Sequence, residues 1–245
     1  MISLQPLLIA LQFLTIIPVR LSSSTSASSK QIGQSLLFYP LVGLFISVLL
    51  LLTAWLLNTQ STAVSAVLIL SLWVILSGGL HLDGLADSAD AWLGGLGDKA
   101  KTLLIMKDPA SGPIAVVLLI VVLLIKFVML VELLTQHNYL AIVFAVTLAR
   151  SALPLLFLTT PYVRQGGIGA ILVANQPRTA IRWLLAGIAL LSVIFSGLTL
   201  LISAFIVFLI LRYVMTLRLN GTTGDTAGAM VEILETTILI TAVII

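Results

Sequence analysis

The amino-acid sequence predicts an all-α protein, a polytopic transmembrane helical bundle of about seven spans with an N-terminal apolar segment beside them. Three observations carry that expectation. Hydrophobic residues make up 60% of the 245 and charged residues 9%, with a mean hydropathy of +1.23; soluble domains are roughly half apolar and a quarter charged. Apolar runs of about 20 residues, the length that crosses a hydrocarbon core, recur along the chain. The basic residues fall in alternate connections between those runs.

The opening run LQPLLIALQFLTIIPV, residues 4–19, has no basic stretch before it and no small-residue cleavage site after it, so it reads as mature protein. Its length allows it to cross, to re-enter or to lie at the interface. The Ser-rich SSSTSASSK at 22–30 reads as a flexible loop. Spans are expected at 36–57, 62–80, 113–134 and 139–158. The run from Trp183 to Leu217 is too long for one span, and Ser196-Gly197 divides it into two helices. The last span is 230–245, with Glu232 and Glu235 at its entry. No linker separates domains, so residues 1–245 read as a single membrane domain. The lack of an internal repeat disfavours repeat-built transporters.

Arg20, Lys30, Lys99, Lys101, Lys107, Arg164, Arg178, Arg182, Arg212 and Arg218 all fall on one side of this topology, which the positive-inside rule makes cytoplasmic. The other two of the twelve basic residues, Lys126 and Arg150, lie within spans. Anionic lipid head groups suffice as partners for a net charge of +3, and nothing points to nucleic acid. The chain has no cysteine, which removes disulfides, thiolate metal sites and a cysteine nucleophile.

Against this background GGLHLDGLADSADAWLGG, residues 78–95, stands out, with Asp83, Asp87 and Asp90 inside eight positions. On a helix these three fall within an arc of roughly 60°. Carboxylates that close repel one another unless a cation shares the site, and a hard divalent ion such as Mg²⁺ or Mn²⁺ suits them. His81 is placed to position a ligand, and Gly84 allows close backbone approach. Solvation at a helix start is the plainer reading of the same acids.

IMKDPASGP, residues 105–113, brings Lys107 and Asp108 to the same side, where a lysine suits a phosphate. NGTTGDTAGAMVEILE, residues 220–235, offers Gly224 and Asp225, which suit an anion at a helix start, a second metal ion or a plain cap, with Glu232 and Glu235 as further ligands or dipole partners. Arg150, at helix depth, needs a carboxylate, phosphate or carbonyl. Lys126 and Glu132 share one apolar helix, at the lipid edge or in helix pairing. QGGIGA at 165–170 lacks the preceding strand of a dinucleotide fingerprint.

Taken in order, FLTIIPV, FYPLVGLFIS, the aspartate stretch, IMKDPASGP and GTTGDTAGAMVEILE resemble the cobalamin synthase, or adenosylcobinamide-GDP ribazoletransferase, family across nearly the whole chain. The aspartate stretch is also similar to the motif of CDP-alcohol phosphotransferases, at Asp83, Gly84, Asp87 and Asp90. The resemblance implies a multi-pass enzyme of the bacterial inner membrane, with its site facing the cytoplasm. It would join adenosylcobinamide-GDP to α-ribazole or its 5′-phosphate, release GMP and require Mg²⁺; an oligomer is compatible with this. The expected roles are Asp83 and Asp87 on Mg²⁺, Asp90 as ligand or base, Lys107 on the phosphate and Asp225 on a second ion. His81, Gly84, Arg150 and Gly224 are expected to bind substrate. Two alternatives stand beside this one: a CDP-alcohol lipid transferase, and a cation-coupled transporter whose acids would lie near the bilayer midplane.

Overall fold

The computed structural model describes residues 4–19, 27–164, 166–196 and 198–245. Helix α1, Gln5–Leu14, buries Pro6, Ala10 and Leu14 along one face. Its ten residues rise about 15 Å, half the thickness of a hydrocarbon core, so it lies within the fold without crossing. The chain then turns back, and the amide of Ile16 donates to the carbonyl of Leu76 at 2.9 Å.

Helix α2, Ser29–Ser35, starts from a reciprocal cap between Ser28 and Gln31. It runs through one 3₁₀ turn, Leu36–Phe38, into α3, Tyr39–Leu56. Helix α4, Thr62–Leu76, starts at the Ser61 cap. Gly78 and Gly79 follow with φ of 61° and 67°, left-handed backbone that favours glycine, and turn the chain by 84° into α5, Leu80–Gly95. A short α6, Lys99–Ile105, is capped by Asp98, and α7, Pro113–Thr135, has proline where the missing amide costs nothing. The remaining helices are α8, Tyr139–Thr159; α9, Gly167–Ala174; α10, Arg178–Ser196; α11, Leu198–Leu219; and α12, Gly224–Ile244.

Among the described residues, six helical segments are long and apolar enough to cross a membrane, and the bent pair α4–α5 brings the number to seven at most. The fold is therefore a polytopic helical bundle. After the 84° bend α5 leaves the crossing direction of α4. The expected break inside 183–217 falls between Ser196 and Leu198. Gly197, Arg20, Gln165 and much of the Ser-rich stretch lie outside the described residues. Three boundaries differ from expectation. The span expected over 62–80 stops at Leu76, because the left-handed Gly78-Gly79 turn ends the helix. Ser29 and Lys30 open a helix because Ser28 caps it, and α12 begins at Gly224, six residues early, because Thr223 accepts the Thr226 amide.

Helices α8 and α12 form the inner pair, 72% and 67% buried along their apolar windows, whereas α10 is 11% buried and offers its side chains to lipid. Four charges sit inside. Lys126 on α7 pairs with Glu232 and Glu235 on α12, the former at 2.5 Å, and Glu235 also pairs with Arg150 on α8. Two cations against two anions make the cluster neutral, which a low-dielectric interior requires. Trp73 on α4 covers Lys126 with its ring, 5.0 Å from the ammonium. Lys126, expected at a lipid edge or in helix pairing, is thus a buried link between α7 and α12, while Glu132 is exposed.

Candidate active site

The glycine turn at 78–79 sends α5 across the start of α12, and two further glycines set how closely they meet. A β-carbon on Gly84 would lie 2.6 Å from the carbonyl oxygen of Asp225, and one on Gly228 would lie 3.3 Å from the Cα of His81. Backbone therefore rests on backbone, and Asp225 stands beside the aspartate face of α5. The junction borders a cavity of about 130 Å³ lined by His81, Asp83, Gly84, Tyr162, Gly224 and Asp225. Phe13 of α1 stacks on Tyr39, 6.2 Å between ring centres, and both rings line the same cavity.

Asp83 is exposed and Asp87 half-buried. Burial, and after it the carboxylates of Asp83 and Asp225, push Asp87 up to about 6. A cation placed between these acids would relieve that repulsion. Asp225 accepts a hydrogen bond from Nη2 of Arg164 at 2.9 Å. Tyr162, two residues before Arg164, lines the same cavity, and burial raises its phenol.

Not every expected residue joins this group. The Asp90 carboxylate turns to the start of α7, accepting the amides of Gly112 at 2.5 Å and Ala115 at 3.1 Å. Those amides are unpaired helix-start donors, so Asp90 caps α7 from another helix. Lys107 is exposed and forms no ion pair among the described residues. Arg150, expected to bind substrate, is instead fully buried against Glu235. Glu232 and Glu235, considered as ligands, are held by Lys126 and Arg150. His81 lines the cavity but is 2% exposed, and its Nδ1 has no partner among the described residues.

The oxygen donors Asp83, Asp87 and Asp225 suit a hard cation. Among the described residues, however, no three His, Cys, Asp or Glu side chains converge to hold an ion unaided. Mg²⁺ takes one or two carboxylates, keeps waters and completes its shell with substrate phosphates, so a pair of these acids is a sufficient protein contribution for it.

A family profile for cobalamin-5-phosphate synthase matches residues 6–243. This chain belongs to that family. An adenosylcobinamide-GDP ribazoletransferase of Pseudomonas fluorescens strain Pf-5 is 53% identical over 243 residues, covering 96% of this chain and 97% of the relative. Enzymes of the same name from Stutzerimonas stutzeri and Pseudomonas aeruginosa strain UCBPP-PA14 are 53% and 51% identical over 239 and 240 residues, covering 96% or more of each chain. No solved structure matches.

Within this cobalamin-5-phosphate synthase framework, sequence reasoning missed Arg164 and Tyr162. They lie 61 and 63 residues before Asp225; in the sequence Arg164 is one basic residue of a connection and Tyr162 carries no signal. The segment PYVR between two apolar helices carries no spacing that would have tied it to the aspartates.

Proposed function

We propose that this protein is an adenosylcobinamide-GDP ribazoletransferase, which joins adenosylcobinamide-GDP to α-ribazole or its 5′-phosphate and releases GMP. The observation that carries the reading is the meeting of the α5 aspartates with Asp225 across Gly84, in a chain that matches the family along nearly all its length. An acidic face of this kind serves a reaction on a diphosphate, where charge on the leaving phosphate must be neutralised.

Asp83 and Asp87 would hold Mg²⁺, with Asp225 across the junction for a second ion; bound there, the metal would polarise the diphosphate. The chain's own part is placement. Asp90 fixes the start of α7, and with it the 106–112 connection, exposed over 107–111 and carrying Lys107, beside the aspartate helix. The acceptor hydroxyl oxygen forms a bond to the phosphorus that bears the cobinamide. The bond from that phosphorus to the GMP oxygen breaks, and its electron pair leaves with GMP. The site is read as facing the cytoplasm, in the bacterial inner membrane, from the basic residues gathered on that side. The self-paired state of Lys126, Arg150, Glu232 and Glu235 supports this reading over ion transport, since none of the four is left to bind a passing ion.

The test is acceptor choice. Detergent-purified protein is given adenosylcobinamide-GDP and Mg²⁺ with either α-ribazole 5′-phosphate or a lipid alcohol, and GMP is measured. Release with the ribazole alone, one GMP per cobamide formed, is expected. Release with the lipid alcohol only, or from a CDP-alcohol donor instead, would contradict the assignment.

A further inference from the structure

Carboxylates that face a diphosphate leave a second requirement, a fixed cation beside them for the phosphate that departs. Lys107 is exposed and unpaired with the acids, whereas Arg164 is at the junction. Its Nη2 reaches Asp225 at 2.9 Å, the two side chains are 30% and 18% exposed, and its charge also acts on Asp87.

The connection that carries Arg164 is fastened on both sides. The Thr222 amide donates to the Pro161 carbonyl at 2.8 Å and the Val163 amide to the Thr222 carbonyl at 2.9 Å. Arg212 of α11 donates to the Thr159 carbonyl at 2.6 Å and to Oγ1 of Thr160 at 3.1 Å. A β-carbon on Gly221 would stand 2.3 Å from the Pro161 carbonyl oxygen, so glycine permits this stitching. The backbone beneath Arg164 is thereby fixed, and its long side chain remains free to turn about its own torsions.

The resting ion pair leaves the guanidinium incompletely satisfied. One nitrogen serves Asp225, and Nε is buried with no partner among the described residues. A guanidinium fork matches two oxygens of a phosphate, so turning onto an oxyanion gains a hydrogen bond as well as exchanging one. Asp225, the carboxylate that Arg164 holds, lines the cavity together with Tyr162 and Gly224.

We propose that Arg164 is a phosphate-binding residue of this site: its guanidinium leaves Asp225 for the guanosine-side phosphate of the bound diphosphate and holds that phosphate as it departs in GMP. The inference rests on the transferase reading above. It gives Asp225 two states, held by Arg164 at rest and released toward Asp83 and Asp87 when the diphosphate is bound. In the transfer, the bond between the two phosphate groups breaks, its electron pair goes to the GMP oxygen beside Arg164, and the acceptor hydroxyl proton passes to water.

The test uses GDP as probe, with full-length protein in detergent and EDTA present, so that binding is read without metal. Arg164→Ala is expected to raise the GDP Kd about tenfold or more, the loss of a charge-assisted hydrogen bond, with Arg164→Lys in between. Guanidinium ion added to Arg164→Ala is expected to restore part of the GMP release, which a merely structural defect would not allow. Where Arg164→Ala does not fold, Arg164→Lys, which keeps the charge, decides by its GDP Kd. An unchanged Kd in the variants, or no GDP binding by wild type, would overturn the inference. Wild-type GMP release is measured alongside to separate the two claims. Turnover by wild type with an unchanged variant Kd defeats the Arg164 assignment alone, while no turnover with a weakened variant defeats the transferase reading alone.

Discussion

The Asp90 carboxylate accepts the Gly112 amide at 2.5 Å, joining the end of the aspartate helix to the start of a transmembrane helix 22 residues further on. The third aspartate of the face thus differs from its neighbours: both its oxygens are taken by α7 amides.

Asp90→Asn is expected to lower the unfolding temperature in detergent, because one of its two acceptors becomes an amide that meets an N–H. A buried donor left unpaired costs about 1–3 kcal/mol. Partial turnover should survive, reduced through misplacement of α7. Abolished turnover with unchanged thermal stability would return Asp90 to the chemistry as a base.

The Gly84 contact gives a second expectation. Alanine there would bring its β-carbon 2.6 Å from the Asp225 carbonyl, so α5 and α12 must part. Overpacking of this kind costs about 1–3 kcal/mol. The same change at Gly187, where nothing lies within 4 Å, should be neutral or slightly stabilising in thermal unfolding. Gly84→Ala should also lose most GMP release, since it separates Asp225 from the aspartate face. Equal stability and activity in both variants would contradict the close approach.

Lys126→Met leaves Glu232 and Glu235 without their shared cation. Removing one partner of a buried pair costs about 3–5 kcal/mol. Adding Glu232→Gln should recover part of that loss, a coupling read from a double-mutant cycle of thermal unfolding. Glu132→Gln, on the exposed side of the same helix, should change little. Additive effects of Lys126→Met and Glu232→Gln would show that the pair is not coupled.

Much of this was legible in the sequence. Membrane crossings follow from apolar length, and the divide at 196–197 follows from a break in that length, so the bundle could be read with few errors. The three aspartates and the 220–225 glycines were legible because charge and small residues are rare in such a chain. The partners of those residues were not. Pairing of Lys126 with Glu232 and Glu235, of Asp90 with the Gly112 amide, and of Arg164 with Asp225 depends on which helices lie side by side, and apolar faces in a bilayer do not specify neighbours by pattern alone. Residues 4–19 are ambiguous for a related reason: their composition suits lipid, whereas α1 is only ten residues long and ends at Leu14.

The most direct test of the acidic site is GMP release from adenosylcobinamide-GDP and α-ribazole 5′-phosphate, comparing wild type with Asp87→Asn across a Mg²⁺ titration. The account predicts metal-dependent release by wild type and a loss of at least about a hundredfold in the variant, the scale of an electrostatic group acting on the transferring phosphate. Wild-type release that is indifferent to Mg²⁺, or an Asp87→Asn variant as active as wild type, would contradict it.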